Sequence, residues 1–534
     1  MNRKTLVLPA VVGLLAPVLA ACGGSDSGSD GGDAIVVGTT DRFTATKDAP
    51  APLDPAYAYD VGTWNILRQT VQTLMIQPKG EGDPVPEAAQ SCSFTDSGNE
   101  RYACKLRDGL KFSNGDKITA ADVKYSIDRA RAIKADSGVF ALLSTIDTVE
   151  TQGDNEVIFH LKTADATFPF KLSTPVAGIV NPDDYEKDKL RDGFDVDGSG
   201  PYTLHADVKN DEIVKATFTK NPNYKGVLKV NNSKVDMVSF ADATKMGDAL
   251  DKGDIDVMTR TMSPQQIQAL STKSGGSVDL VEMAGLEIRY LAFNTSAPTV
   301  KSKTVRQAIA QLINRGELVS KVYGTQAEPL YSMVPASITG HSNSFFNKYG
   351  DPSVAKAKAL LTAAGITSPV KLTLHYTTDH YGPATKKEFE VLRQQLNDSG
   401  LFDVAIKGAP WETFVPAERK GEYDVFGMGW FPDFPDADNY LAPFLDKDNF
   451  LKSPYRNSTV INSLIPESRR EADRVGAAKS LTEIQDAIAE DVPLLPLWQG
   501  KQYVASGDKV TGTAYALNSS STLQLWELGR GVGG

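Results

Sequence analysis

Little in this chain can do covalent chemistry. Of 534 residues, three are cysteine and five are histidine. Three cysteines are too few for a disulfide-built scaffold. The histidines, His160, His205, His341, His375 and His380, form no H-E-x-x-H pair. His375 and His380 come nearest to a metal pair, but no cysteine or second carboxylate stands at ligand spacing beside them. There is no G-x-S-x-G elbow and no P-loop. A basic excess is also missing. Lys and Arg total 56 against 67 Asp and Glu, a net charge of −11. That is the wrong sign for a nucleic-acid binder or a polybasic membrane-surface protein. Gly at 44 and Pro at 29 exclude a collagen-like or wholly disordered chain. No internal repeat is present. What remains reads as a globular chain without a recognisable catalytic constellation, long enough for about three or four structural units.

The first segment is expected to be removed. Arg3 and Lys4 precede an uncharged, mostly apolar run over 6–21, broken by Pro9, Gly13 and Pro17. That run falls short of the about 20 residues a bilayer span needs and matches a secretory h-region. It ends Leu19-Ala20-Ala21-Cys22, which resembles a bacterial lipobox, with Cys22 acylated as the mature N-terminus. Loss of Arg3 and Lys4 takes the net charge to −13. Residues 23–33 contain only Gly, Ser and Asp. With nothing to bury they read as a flexible tether reaching roughly 18 Å. The rest is expected to be soluble and extracytoplasmic, held to the membrane through its acyl chains.

Cys92 and Cys104 flank a polar Asp96-Ser97-Gly98-Asn99 turn at comparable distances. A cross-strand disulfide is geometrically plausible on that hairpin, and an exported compartment permits it; two free thiols are the alternative. Further along, apolar spacing predicts a helix over 61–75. Thr119 and Asp122 predict a capping box opening a helix with Val123, Ile127 and Ala130 buried. Beyond about residue 284 strands and helices alternate. Strands are expected at 288–293, 370–376, 403–407 and 423–428. Helices are expected at 305–322, from Pro352 to Gly365, at 386–397 and at about 477–490.

One run stands apart: Gly429-Trp430-Phe431-Pro432-Asp433-Phe434-Pro435-Asp436-Ala437-Asp438-Asn439-Tyr440. It follows a strand and is too proline-rich to continue as a helix. Aromatic faces offer contact area, and a carboxylate can hold a cationic head. The run therefore reads either as the wall of a ligand site or as a rigid loop with solvated acids.

The stretch over 106–126, Leu106-Arg107-Asp108-Gly109-Leu110-Lys111-Phe112-Ser113-Asn114-Gly115-Asp116 and onward through Thr119-Ala120-Ala121-Asp122-Val123, is similar to the signature of the cluster 5 extracellular solute-binding proteins of ABC transporters, the oligopeptide, dipeptide and nickel receptors. Gly198-Ser199-Gly200-Pro201-Tyr202, Asn221-Pro222-Asn223-Tyr224, Gly253-Asp254-Ile255-Asp256, Ala292-Phe293-Asn294-Thr295, Val305-Arg306-Gln307-Ala308 and Pro493-Leu494-Leu495-Pro496-Leu497 match further landmarks in order. The resemblance spans essentially the whole mature chain.

It implies an α/β, two-lobed, periplasmic-binding-protein-like (type II, cluster C) flytrap fold with an extra subdomain. The implied organisation is a signal peptide at 1–21, a lipid-anchored linker at 22–33, lobe I at 34–285 with the subdomain at about 55–175, lobe II at 286–498, and a return to lobe I at 499–534. It implies a binding protein without catalysis or cofactor, which captures peptides and delivers them to the permease of an ABC importer. Peptide-binding members hold the α-amino group through the aspartate of a Trp-x-x-Asp, which Trp430-Phe431-Pro432-Asp433 fits. Pro432 and Pro435 depart from the usual loop. Trp411 matches an earlier tryptophan lining the same pocket, with Trp430 beside the ligand. Tyr57, Tyr59 and Trp64 are candidates from the first lobe. An oligosaccharide, glycoside or nickel-chelate ligand is the alternative within the family, and a secreted hydrolase the remote one outside it.

Overall fold

The computed structural model describes residues 34–531, apart from 48, 80, 81, 136, 448 and 450. The expected signal segment, Cys22 and the tether lie outside the described residues. Two large mixed sheets organise the chain. The first lobe is built on seven strands in the order Val278–Met283, Gln502–Gly507, Val257–Thr259, Ile35–Thr39, Lys234–Ser239, Glu212–Lys220 and Tyr202–Lys209. The second carries six, ordered Ala327–Pro329, Leu494–Gly500, Ile288–Phe293, Val425–Trp430, Val370–Thr377 and Phe402–Ala409. Ile288–Phe293 and Val425–Trp430 pair antiparallel at its centre and are buried at every position. Strands covered on both faces need no polar alternation. This is why Ile288–Phe293 reads as a nearly unbroken apolar run.

The chain passes between these sheets twice. It crosses at 284–287, between Val278–Met283 and Ile288–Phe293, and at Lys501, between Leu494–Gly500 and Gln502–Gly507. The strand Leu494–Gly500 of the six-stranded sheet ends immediately before that second crossing. The crossings touch. The Gly500 N–H donates to the Glu287 carbonyl at 2.9 Å, and a Cβ on Gly285 would collide with the Gly500 carbonyl.

A third sheet, ordered Ala89–Phe94, Arg101–Leu106, Glu156–Leu161 and Ile146–Gln152, forms the subdomain together with the helix Ala120–Ile133. Thr119 caps that helix reciprocally with Asp122, and Val123, Ile127 and Ala130 are buried as the spacing predicts. Cys92 and Cys104 face each other across the hairpin and are bonded. Closing a loop of 12 residues stabilises by about 3 kcal/mol in the chain-entropy account. Replacing both cysteines by alanine is expected to lower unfolding stability by roughly 2–3 kcal/mol, read by urea titration. No loss would show that the hairpin is already held by the sheet.

Three expected helices differ. The 61–75 helix ends at Thr70, where Val71 turns extended. The Thr70 carbonyl is taken by the Gly200 N–H at 2.9 Å, so tertiary contact ends the helix inside its apolar pattern. The 305–322 helix is two, Lys303–Leu312 and Arg315–Val322. Asn314 caps the second by accepting from the Glu317 N–H, and Gln395 bonds both its backbone N–H and its carbonyl. The helix expected from Pro352 starts at Val354, capped by Ser353, which leaves Pro352 outside it. Among the described residues no helix is long and apolar enough to cross a membrane.

Candidate functional site

Residues 431–437 link the central strand Val425–Trp430 to the helix Asp438–Leu445. They point side chains at both lobes. Phe434 is buried in the first lobe's core, its ring 5.6 Å from Phe170. Phe431 sits between two guanidinium groups, Arg260 of the first lobe at 5.3 Å and Arg289 of the second at 5.7 Å from its centroid. Cations over an aromatic face are favourable. Asp436 pairs with Arg474, and Asp438 with Arg469, through two hydrogen bonds each. These two acids are buried in ion pairs, where sequence composition suggested either a ligand wall or solvated acids.

Asp433 is placed differently. It is 8% exposed. Its Oδ2 accepts from the Asn439 amide at 2.8 Å and from the Tyr59 hydroxyl, across the lobes, at 3.2 Å. Both donors are neutral. Burial pushes its carboxyl up to about 6 against the lowering effect of those bonds and of Arg68's more distant charge. Asn439 holds the carboxylate from both ends, because its Oδ1 also accepts from the Asp433 N–H at 2.8 Å. Among the described residues this buried carboxylate therefore has no cation at ion-pair distance.

The first-lobe wall comes from the turn before Val61–Thr70 and from that helix. Asp60 caps the helix, accepting from the Thr63 N–H. Trp64 is buried and donates its indole N–H to the Ala58 carbonyl at 2.8 Å; its ring lies 5.7 Å from Tyr59. One turn on, Arg68 covers the Trp64 ring at 5.3 Å. Tyr57 is half-buried in the same turn, its N–H on the Asp54 carbonyl.

Of the expected site residues, Tyr59, Trp64 and Asp433 come together. Trp430 joins them through Asn439, to which its indole N–H donates at 3.2 Å, but its ring is buried against Phe444 at 5.0 Å. Trp411 opens the helix Trp411–Arg419 and meets a different set. Its ring stacks on His380 at 3.8 Å and lies 5.7 Å from Tyr381. Tyr381 in turn lies 4.0 Å from the Arg289 guanidinium, which leads back to Phe431. Sequence reading passed over Arg68, Arg260, Arg289 and Asn439. Arg289 carried a signal, as a charge inside an otherwise apolar strand. Among the described residues no three of His, Cys, Asp and Glu are grouped to hold a metal ion.

Two α/β lobes joined by paired crossings, with a buried anion where they meet, define a two-lobed binding protein. The chain belongs to the bacterial extracellular solute-binding proteins, family 5, whose model matches residues 83–452. It is 25% identical over 508 residues to the oligopeptide-binding protein OppA of Bacillus subtilis, covering 90% of this chain and 91% of that one. The fold is shared with a dipeptide-binding protein from Pseudoalteromonas sp. SM9913 in complex with Met-Leu, at a TM-score of 0.80 and 21% identity over 93% of this chain and 100% of that one. It is likewise shared with AgaA from A. tumefaciens R10 in complex with agropinic acid, at 0.78 and 22% over 93% and 98%.

Proposed function

We propose that this chain is the lipid-anchored, extracytoplasmic receptor of an ABC importer. It captures peptides between its lobes and delivers them to a membrane permease without altering them. The observation that carries this reading is Asp433, a buried carboxylate at the interlobe contact bonded, among the described residues, only by neutral donors. A buried anion of this kind is costly unless a cation joins it. A peptide's α-amino group supplies that cation, with Tyr59 and Trp64 closing over it from the first lobe. Backbone groups along an extended peptide can add hydrogen bonds as in strand addition. The relatives named for oligopeptides and dipeptides support the same ligand class. Lobe I at 34–285 and 499–534 and lobe II at 286–498 would rotate about 284–287 and Lys501. Cys22 would carry the anchor.

Native mass spectrometry of the purified protein tests the ligand class. A ladder of peptide masses leaving at raised collision energy is expected. A single sugar acid, an oligosaccharide or a metal chelate would overturn the peptide assignment.

A further inference from the structure

Arg68 is a second charge at the candidate site that the protein leaves unanswered. It stands one turn after Trp64 in the helix Val61–Thr70, half-buried, with its guanidinium 5.3 Å from the centre of the Trp64 ring. Among the described residues it makes no hydrogen bond and no ion pair. Burial lowers it to about 10 while Asp433 opposes the shift, so it is charged at neutral pH. Five N–H donors drawn out of water without an acceptor are costly.

Arg68 also lines a cavity of about 30 Å³. That is room for about two water-sized groups, the size of the two oxygens of a carboxylate. The C-terminal return supplies more of the wall through Asn518, Thr522 and Gln524. The Asn518 Oδ1 accepts from the Thr522 N–H at 2.9 Å. Among the described residues the Asn518 amide nitrogen, the Thr522 hydroxyl and the Gln524 side chain bond no protein group, so their donors remain for a ligand. The acid in this wall, Glu87, is already engaged. It accepts from the Gln72 amide at 3.0 Å, the Tyr224 hydroxyl at 2.6 Å and the Val227 N–H at 2.9 Å.

The cavity end and the amine end are joined. Arg68 covers Trp64, Trp64 lies 5.7 Å from Tyr59, and the Tyr59 hydroxyl donates to Asp433. One aromatic pair thus carries a cation at one end and a carboxylate at the other. The two form no ion pair with each other among the described residues. A ligand bearing both charges answers both ends at once.

We propose that Arg68, with Asn518, Thr522 and Gln524, forms an anion subsite that takes a carboxylate of the ligand, so that the receptor selects zwitterions whose free amine and carboxylate lie a short way apart. The planar fork of a guanidinium matches a carboxylate with paired hydrogen bonds. This rests on the peptide reading of the cleft. The carboxylate is either the C-terminus of a short peptide or the acidic side chain of its first residue, and the test separates the two.

The test is calorimetric titration of the full chain with two matched pairs. One is trialanine and its C-terminal amide; the other is Glu-Ala-Ala and Gln-Ala-Ala, both capped as C-terminal amides. At least one acid member is expected to bind about tenfold or more tightly than its neutral counterpart, the range of hydrogen bonds to a charged group. An advantage confined to trialanine assigns the C-terminus, and one confined to the glutamyl peptide assigns the first side chain. Arg68→Gln is expected to level the pair that differs, through the acid member's loss of affinity. Pairs that bind the wild type equally overturn the subsite. So does an advantage that survives in Arg68→Gln, and so does an equal loss by acid and neutral members, which would make Arg68 a support for Trp64 alone. Should Arg68→Gln fail to fold, Arg68→Lys keeps the charge and loses the fork. It is expected to cut the advantage by about threefold or more, and an undiminished advantage overturns the subsite. Tripeptide binding without carboxylate preference sinks only the subsite; no binding by any of the four sinks the peptide reading, and the subsite with it.

Discussion

Asp433→Asn is expected to weaken binding of a free-amine peptide by about thirtyfold to a few thousandfold, the roughly 2–5 kcal/mol lost when one partner of a buried charge pair is removed. The same peptide with an acetylated amine should lose little between wild type and variant, because it brings no cation to the site. Titration of both peptides against both proteins makes the check. Equal losses for the two peptides would mean that Asp433 shapes the loop and does not hold the amine. The comparison is clean because the asparagine keeps the acceptor facing Tyr59 and Asn439 while removing the charge.

The pH dependence follows from the same group. The Asp433 carboxyl stands at about 6 in the folded chain against 3.8 when solvated. The folded state therefore favours the protonated acid. Its contribution to stability is fully present below about 3.8 and lost as pH rises through about 6. By neutral pH the unliganded protein carries about 3 kcal/mol of unfavourable ionisation there. An ammonium relieves that cost, so ligand binding is driven partly by a charge that the fold holds at a loss. Below about 6, protons compete with the amine, and affinity for free peptides should fall by up to about tenfold per unit. The unliganded Asn variant should melt higher at neutral pH than the wild type, a familiar exchange of stability for function.

What could be read in advance divides by distance along the chain. The single elements were legible where their cues are local: the capped helix at Thr119, the hairpin around Ser97, and the shift to alternating strands and helices after residue 284; the two-lobed arrangement followed from the family resemblance. The run around Asp433 stood out because its prolines and aromatics after a strand predict a loop, which the chain forms over 431–437 before the helix Asp438–Leu445, and only the Trp-x-x-Asp resemblance singled out Asp433 among its three acids. Its partner Tyr59 was named but not the bond, since 374 residues separate them. Arg474 and Arg469 lie 38 and 31 residues from Asp436 and Asp438. Nothing local marks such pairs, so composition could not separate a solvated acid from a buried one. Trp430 shows the same limit in apolar form, because an aromatic at a strand's end suits a ligand wall and a core equally. The split at Ile313 and Asn314 was hidden because apolar spacing ran on across it, while its backbone groups are satisfied by Gln395 from another helix.

Those distant pairs carry the second large expected effect. Arg469 bonds Asp438 within the second lobe, while its carbonyl accepts from the Ala166 N–H of the first at 2.8 Å. Asp165, beside Ala166, is paired with Lys171. Burial alone would raise Asp165, but Lys171 and Arg469 hold it at about 2. Burial likewise opposes, and Arg469 overcomes it, in holding Asp438 below the ordinary carboxylate range. One guanidinium thus compensates acids from both lobes. Arg469→Met keeps the backbone contact and removes the charge, leaving Asp438 without its hydrogen-bonded cation and with only the more distant Lys171. The expected cost is about 3–5 kcal/mol, read by denaturant titration at neutral pH. Acids with depressed values stabilise above their unfolded range, near 4, and lose that contribution as pH falls towards their folded values. The wild type should therefore lose stability between about pH 4 and 2, in the opposite sense to Asp433, and Arg469→Met should show a shallower acid limb. Adding Asp438→Asn to Arg469→Met should recover much of the loss, because neighbouring charges are not additive. A single variant within about 1 kcal/mol of wild type would place Arg469 among solvent-screened surface pairs and remove it from the contact between the lobes.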